Sequence, residues 1–163
     1  MVGVERGKIR LSAYDPQWKT IAENTVNLLK SLLGGAAVDI QHVGSTAVPH
    51  IHAKPIIDII VGMDSVGNIM PYQEVLAANG IFFHREAIRG QLLFVIGDPE
   101  KEIVTHHVHI VRYGSEQWLN YINFRDYLLA FPQKAQEYED LKMRFWRPCM
   151  RTTGKATRQA KKQ

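Results

Sequence analysis

His42-Val43-Gly44-Ser45-Thr46-Ala47-Val48-Pro49-His50-Ile51-His52-Ala53-Lys54-Pro55-Ile56-Ile57-Asp58-Ile59-Ile60-Val61 is the stretch that decides the fold. It reads as a short apolar strand, a turn of small hydroxyl-bearing residues, a loop with His and Lys, and a second apolar strand with one acid in its middle. A buried carboxylate is costly unless it is paired, hydrogen-bonded or bound to a metal, so Asp58 requires a partner. Gly44-Ser45-Thr46 comes directly after the first strand and offers bare amides and two hydroxyls, a turn suited to closing around a phosphate.

The first strand is expected over Val38 to Val43 and the second over Pro55 to Val61. The connection between them is too long for a tight hairpin, so a helical turn is expected near Ser45 to Val48. Lys8 to Ala13 alternates and predicts an edge strand. Asp15 as cap and Pro16 as first residue predict a helix that buries Trp18, Ile21, Ala22, Thr25, Leu28, Leu29 and Leu32 and stops at Gly34-Gly35. A second helix is expected from Ile69 to Ala78, ended by Asn79-Gly80, and strands over 81–84 and 92–96.

After the turn Gly97-Asp98-Pro99-Glu100 comes Ile103-Val104-Thr105-His106-His107-Val108-His109-Ile110-Val111. Period-two alternation places Thr105, His107, His109 and Val111 on one face and Val104, His106, Val108 and Ile110 on the other. Ser115 caps a helix to about Ala130, with Trp118, Tyr121, Ile122, Leu128 and Leu129 directed to the core. Phe131-Pro132 opens another, with a stripe of Tyr138, Leu141 and Phe145 and a stop at Trp146-Arg147-Pro148. This order predicts an α/β (α+β) fold, a mixed sheet flanked by helices.

The 163 residues suit one domain, expected over 1–150, with a basic tail over 151–163. Five of the 20 basic residues and none of the 16 acidic ones lie after Met150, so the formal charge of +4 belongs to that tail. A solvated tail argues against nucleic acid as the partner. No apolar run is long enough to span a bilayer, there is no signal-peptide core at the N-terminus, and a single cysteine excludes an intrachain disulfide; a cytoplasmic protein is expected. Cys149 has no His or Asp motif around it to make it a nucleophile.

His107 and His109 share a face, which suits either a metal or paired burial; as ligands they need a third group, for which Asp58 and His42 are the candidates. Lys54 stands before the acid-bearing strand, placed to meet a phosphate or to pair with Asp58. Arg125 reads as an ion-pair partner of Asp126 or Glu139, or as an anion clamp.

Together, His42 to Pro49, Ala53 to Ile59, His107-Val108-His109-Ile110, Phe124-Arg125-Asp126-Tyr127-Leu128 and Tyr138-Glu139-Asp140-Leu141-Lys142 resemble the GrpB family, also called UPF0157, in order from about Lys8 to Met143. The resemblance implies a nucleotidyltransferase-like fold, and some family members are fused to dephospho-CoA kinase. In that superfamily a hydrophobic-Gly-Ser turn is succeeded, about a dozen residues on, by two acids at alternate positions. Val43-Gly44-Ser45 matches the turn and Asp58 the first acid, but Ile60 stands at the second. His50 replaces a usual Gly after the Val-Pro, and Arg151 to Lys155 lacks a usual Tyr.

The residues and the resemblance lead to the expectation of a protein that binds a nucleotide or other phosphorylated small molecule, with nucleotidyl or phosphoryl transfer as its chemistry. Gly44, Ser45, Thr46, Lys54 and Arg125 are its phosphate-binding residues, and Asp58 is the catalytic residue. Asp58, His107, His109 and His42 are the ligands for a divalent metal, Mg, Mn or Zn. One carboxylate with two imidazoles suits a transition metal better than Mg²⁺. The alternatives are a metal-dependent hydrolase using Asp58, His107 and His109, and a non-catalytic module that senses a nucleotide or docks on a partner.

Overall fold

The computed structural model describes residues 2–5, 8 and 10–159, with side chains up to residue 145. The elements in order are β1 (Val4–Glu5), α1 (Gln17–Leu33), β2 (Ala37–Val43), β3 (Ile57–Met63), α2 (Gln73–Ala78), β4 (Ile81–Ile88), β5 (Gln91–Asp98), β6 (Ile103–Arg112), α3 (Glu116–Ala130) and α4 (Pro132–Gln159). The sheet runs β2-β3-β6-β5-β4, with β1 beside the start of β6. Only β3 and β6 pair in parallel among the described strands; the other pairings are antiparallel. Parallel neighbours need a long crossover, and here α2 with the β4–β5 hairpin provides it. The result is the expected mixed α+β sheet flanked by helices.

The alternation along β3 explains why its strand is almost wholly apolar. Ile57, Ile59, Val61 and Met63 face α1 and α2, packing with Trp18, Ala22, Leu29 and Leu33. Ile60 faces the other way and packs with Val43, Val111 and Trp118 of α3. Burying each of these aliphatic chains stabilises by roughly 1.5–3 kcal/mol, so covering both faces fixes the register of β3 between β2 and β6.

Several boundaries differ from the sequence expectation. The edge strand expected over 8–13 is absent among the described residues; Ser12 makes only an isolated bridge to Ala53, while the edge pairing is made by Val4 and Glu5 against β6. α1 starts at Gln17, one residue after the expected start at Pro16, and the Gln17 amide bonds the Asp15 carboxylate at 3.0 Å. The helix expected over 69–78 is divided into a 3-10 segment, Val66–Tyr72, and α2, with Pro71 inside the 3-10 part.

The stop expected at Trp146-Arg147-Pro148 does not end α4, which stays helical to Gln159. An interior proline costs about 3 kcal/mol through one lost hydrogen bond and a ring clash, but a helix already propagated through several turns can carry it. The last four residues of the expected basic tail, 160–163, lie outside the described residues. Leu129, Leu141 and Phe145, expected in the core, are exposed. Leu128 is the residue that α3 buries with Val48, Ile51 and Ala135, and its neighbour Leu129 points about 100° around the helix from it.

His106 faces the α1 side, where its Nε2 lies 3.1 Å from the Thr25 hydroxyl. Burial pushes His106 down to about 4, the attraction of Asp58 opposing this in part and His107 adding to it. His42 is likewise pushed down to about 4 by burial, with Asp58 opposing and Arg125 and His106 adding. The unfolded chain therefore takes up protons at these two sites first, near pH 6.5. Stability is fully present above that pH and falls as the pH drops from about 6.5 to about 4. The Tm is expected to decline over this window, and His106→Gln should flatten the decline; equal slopes for both proteins would show that His106 does not carry it.

Candidate metal and phosphate site

Pairing of β2 with β3 sets Val43 opposite Asp58, and pairing of β3 with β6 sets Asp58 beside His107 and Ile60 beside His109. Residues paired across a sheet share a face, so the two histidines and the acid converge. His107 Nδ1 and His109 Nε2 each lie 3.3 Å from Asp58 Oδ1. One ligand atom from each of the three residues falls within 4.8 Å of the others. Burial opposes ionisation of Asp58, but the hydrogen bonds from His107 and His109 outweigh it and hold the carboxyl below its ordinary value.

His109 is itself oriented from behind. The buried Gln91 side chain donates its Nε2 to His109 Nδ1 at 2.9 Å and to the Tyr121 hydroxyl at 3.1 Å, and the Tyr121 ring lies 4.8 Å from the imidazole. With Nδ1 accepting, the imidazole proton sits on Nε2 and points at Asp58. A metal on Nε2 would take the place of that proton, with Gln91 and Tyr121 still aiming the ring. A carboxylate oxygen and two imidazole nitrogens gathered in this way fit a divalent transition metal, the donor set being too nitrogen-rich for Mg²⁺.

Gly44 explains how Asp58 fits beneath the turn. Its φ of +75° and ψ of −172° suit glycine, and a Cβ there would stand 2.6 Å from Asp58 Oδ2. The 3-10 turn Ser45–Ala47 comes next, as the spacing predicts. Its Ser45 and Thr46 line a pocket of about 290 Å³ together with Lys54, Asp58, His107, Tyr138 and Lys142. The Thr46 hydroxyl bonds His42 Nε2 at 2.9 Å. Lys54 is exposed at the pocket and forms no ion pair with Asp58.

Two of the expected site residues are brought neither to this pocket nor to the Asp58 cluster. His42 pairs with Ile59, on the opposite sheet face from Asp58, because the side chains of β2 alternate; it stands outside the group that could hold a metal. Arg125 donates to the His42 carbonyl at 2.9 Å and pairs with Asp126 at 2.8 Å, so it ties α3 to β2, and its partner is Asp126, not Glu139.

Two residues read as plain helix positions belong to the site. The Tyr138 hydroxyl lies 3.3 Å from Ser45 Oγ, and Lys142 Nζ lies 3.4 Å from the same oxygen. Their spacing of four on one helix face was the sequence signal, but nothing in the sequence says that this face meets Ser45. A larger cavity of about 610 Å³ opens at the other end of the sheet, among Phe82, Phe83, Ile96 and Val104, with mostly apolar walls.

An α+β fold with a glycine–hydroxyl turn above a carboxylate–imidazole cluster is the class that this fold and site define. The chain belongs to the GrpB family, whose pattern matches residues 8–163. Glutamate-rich protein GrpB of Alkalihalophilus pseudofirmus is 37% identical over 145 residues, 87% of this chain and 83% of that one. UPF0157 protein YqkA of Bacillus subtilis is 34% identical over 136 residues, 83% of this chain but 39% of the longer relative. The crystal structure of the conserved protein GrpB from Enterococcus faecalis matches with a TM-score of 0.77 and 31% identity, over 85% of this chain and 84% of that one. No described helix is long and apolar enough to cross a membrane.

Proposed function

We propose that this protein binds a phosphorylated small molecule together with a divalent transition metal, and that its chemistry is metal-assisted phosphoryl or nucleotidyl transfer. The observation that carries this reading is one pocket lined at once by Asp58 and His107, by Ser45 and Thr46 of the turn, and by the cations Lys54 and Lys142. Asp58, His107 and His109 hold the metal, which when bound supplies charge stabilisation at a phosphoryl oxygen. Lys54 and the Ser45–Thr46 turn hold and orient the phosphate, and α4 shields it from solvent on the Tyr138 side. Catalysis of this kind rests on positioning and electrostatics.

The burial of Ile60 favours a second reading of the same site. A second acid for a Mg²⁺–triphosphate is replaced by a core side chain, which leaves a metal-dependent phosphoester hydrolase as the alternative. Turnover of a phosphoester with Zn²⁺ or Mn²⁺ and no nucleotide donor would decide for it.

The test is the Tm with and without Zn²⁺, Mn²⁺ and Mg²⁺, each alone and with ATP, CTP, GTP or UTP. A ligand at 100 times its Kd stabilises by about 2.7 kcal/mol, a rise of several degrees for a domain of this size. Asp58→Asn should leave the unliganded Tm within a few degrees and weaken Mn²⁺ or Zn²⁺ binding by about 100-fold in titration calorimetry. Unchanged metal affinity in Asp58→Asn would overturn the reading.

A further inference from the structure

Helix α4 is fastened to the loop before β3 by two side chains that grip one residue. The Glu139 carboxylate accepts the His52 amide at 2.9 Å and the His52 ring Nδ1–H at 2.5 Å, while Lys142 Nζ donates to the His52 carbonyl at 2.6 Å. This grip leaves Lys142 lying over the Tyr138 ring, 4.5 Å from its centroid, with its ammonium at the Ser45 hydroxyl. Glu139 is committed to His52, and Lys142 makes no ion pair among the described residues. A half-buried cation so placed has no carboxylate within ion-pair distance among the described residues, and burial lowers its proton affinity, the nearby Glu139 opposing this in part.

Charge in the loaded pocket is therefore unbalanced. Among the described lining residues, Lys54 and Lys142, with a divalent ion, place four positive charges against the one negative charge of Asp58. A single phosphate monoester carries about −1.5 to −2 at pH 7 and leaves part of that excess unmatched. Two joined phosphates come close to neutralising it.

Resting on the phosphate-and-metal reading above, we infer that the site takes a diphosphate, one phosphate at Lys54 and the metal and the second at Lys142 and the Ser45 hydroxyl. The pocket of about 290 Å³ is small for a whole nucleotide, so any nucleoside attached to the diphosphate extends out of it. Lys142 is thus the residue that distinguishes one phosphate from two.

The experiment is titration of the full chain with inorganic phosphate, pyrophosphate and ADP at fixed free Mn²⁺. Pyrophosphate is expected to bind at least about tenfold more tightly than phosphate, and Lys142→Met to remove that preference by weakening pyrophosphate far more than phosphate. Glu139→Gln loosens the same helix without removing the cation, so it should keep the preference even if its Tm falls. ADP at least as tight as pyrophosphate identifies a nucleoside diphosphate; pyrophosphate alone identifies a free diphosphate. Equal binding of phosphate and pyrophosphate, or a preference that survives Lys142→Met, overturns the inference while leaving the single-phosphate reading in place. Binding of Mn²⁺ with neither anion overturns both.

Discussion

Ile60→Asp is expected to unfold the protein or lower its Tm by about 10 °C or more, and to give no tighter Mg²⁺ binding. The substitution supplies the second acid of the pattern that the sequence resemblance implies, and on sequence alone it looks like a repair. The side chain, however, is fully buried against Val43, Val111 and Trp118. An aspartate there loses the apolar burial of the isoleucine and sets a second carboxyl near Asp58, among side chains packed for a hydrocarbon. Buried unpaired charge of this kind belongs to the small set of changes costing more than about 4 kcal/mol. Thermal unfolding with and without Mg²⁺ checks this. A folded variant of wild-type stability that gains Mg²⁺ affinity would show that Trp118 yields and that Ile60 is a lost ligand, not a core residue.

Gly44→Ala carries the second large effect, and it joins fold to site. The new methyl would meet Asp58 Oδ2 at 2.6 Å in a backbone conformation that L residues rarely adopt. Backbone strain alone costs about 1–3 kcal/mol, and the contact forces either the turn or the carboxylate to move. The expected result is a Tm lower by about 5–10 °C, with metal affinity reduced about tenfold or more as Asp58 leaves its histidines. A double-mutant cycle with Asp58→Ala isolates the contact, because removing the carboxylate relieves it and the two losses should fall short of additive. Wild-type metal affinity in Gly44→Ala would mean that Asp58 is not held where the metal site needs it.

The outline of the fold was legible because it rests on local periodicity. The apolar run around Asp58, the alternation through His107 and His109, and the small-residue turn each encode a strand or turn in neighbouring residues alone. The misread boundaries depend on what local patterns do not carry. Residues 8–13 alternate like a strand, but the sheet edge beside β6 is taken by Val4 and Glu5. Leu141 and Phe145 repeat like a core stripe, but no described layer covers them.

The candidate site divides in the same way. By itself the sequence determined that Asp58 needs a partner, that His107 and His109 share a face, and that Gly44 to Thr46 forms a turn ahead of the acid. Those statements rest on side-chain alternation and on the cost of burying charge. Only the tertiary structure decided which residues meet: strand pairing sends His42 to the far face, ties Arg125 to β2, and roofs Ile60 with Trp118. It also delivers Gln91 and Tyr121 behind His109, and Tyr138 and Lys142 to Ser45 from 93 and 97 residues away in the chain. Contacts between distant segments arise from how the layers pack, and no spacing within one segment encodes them.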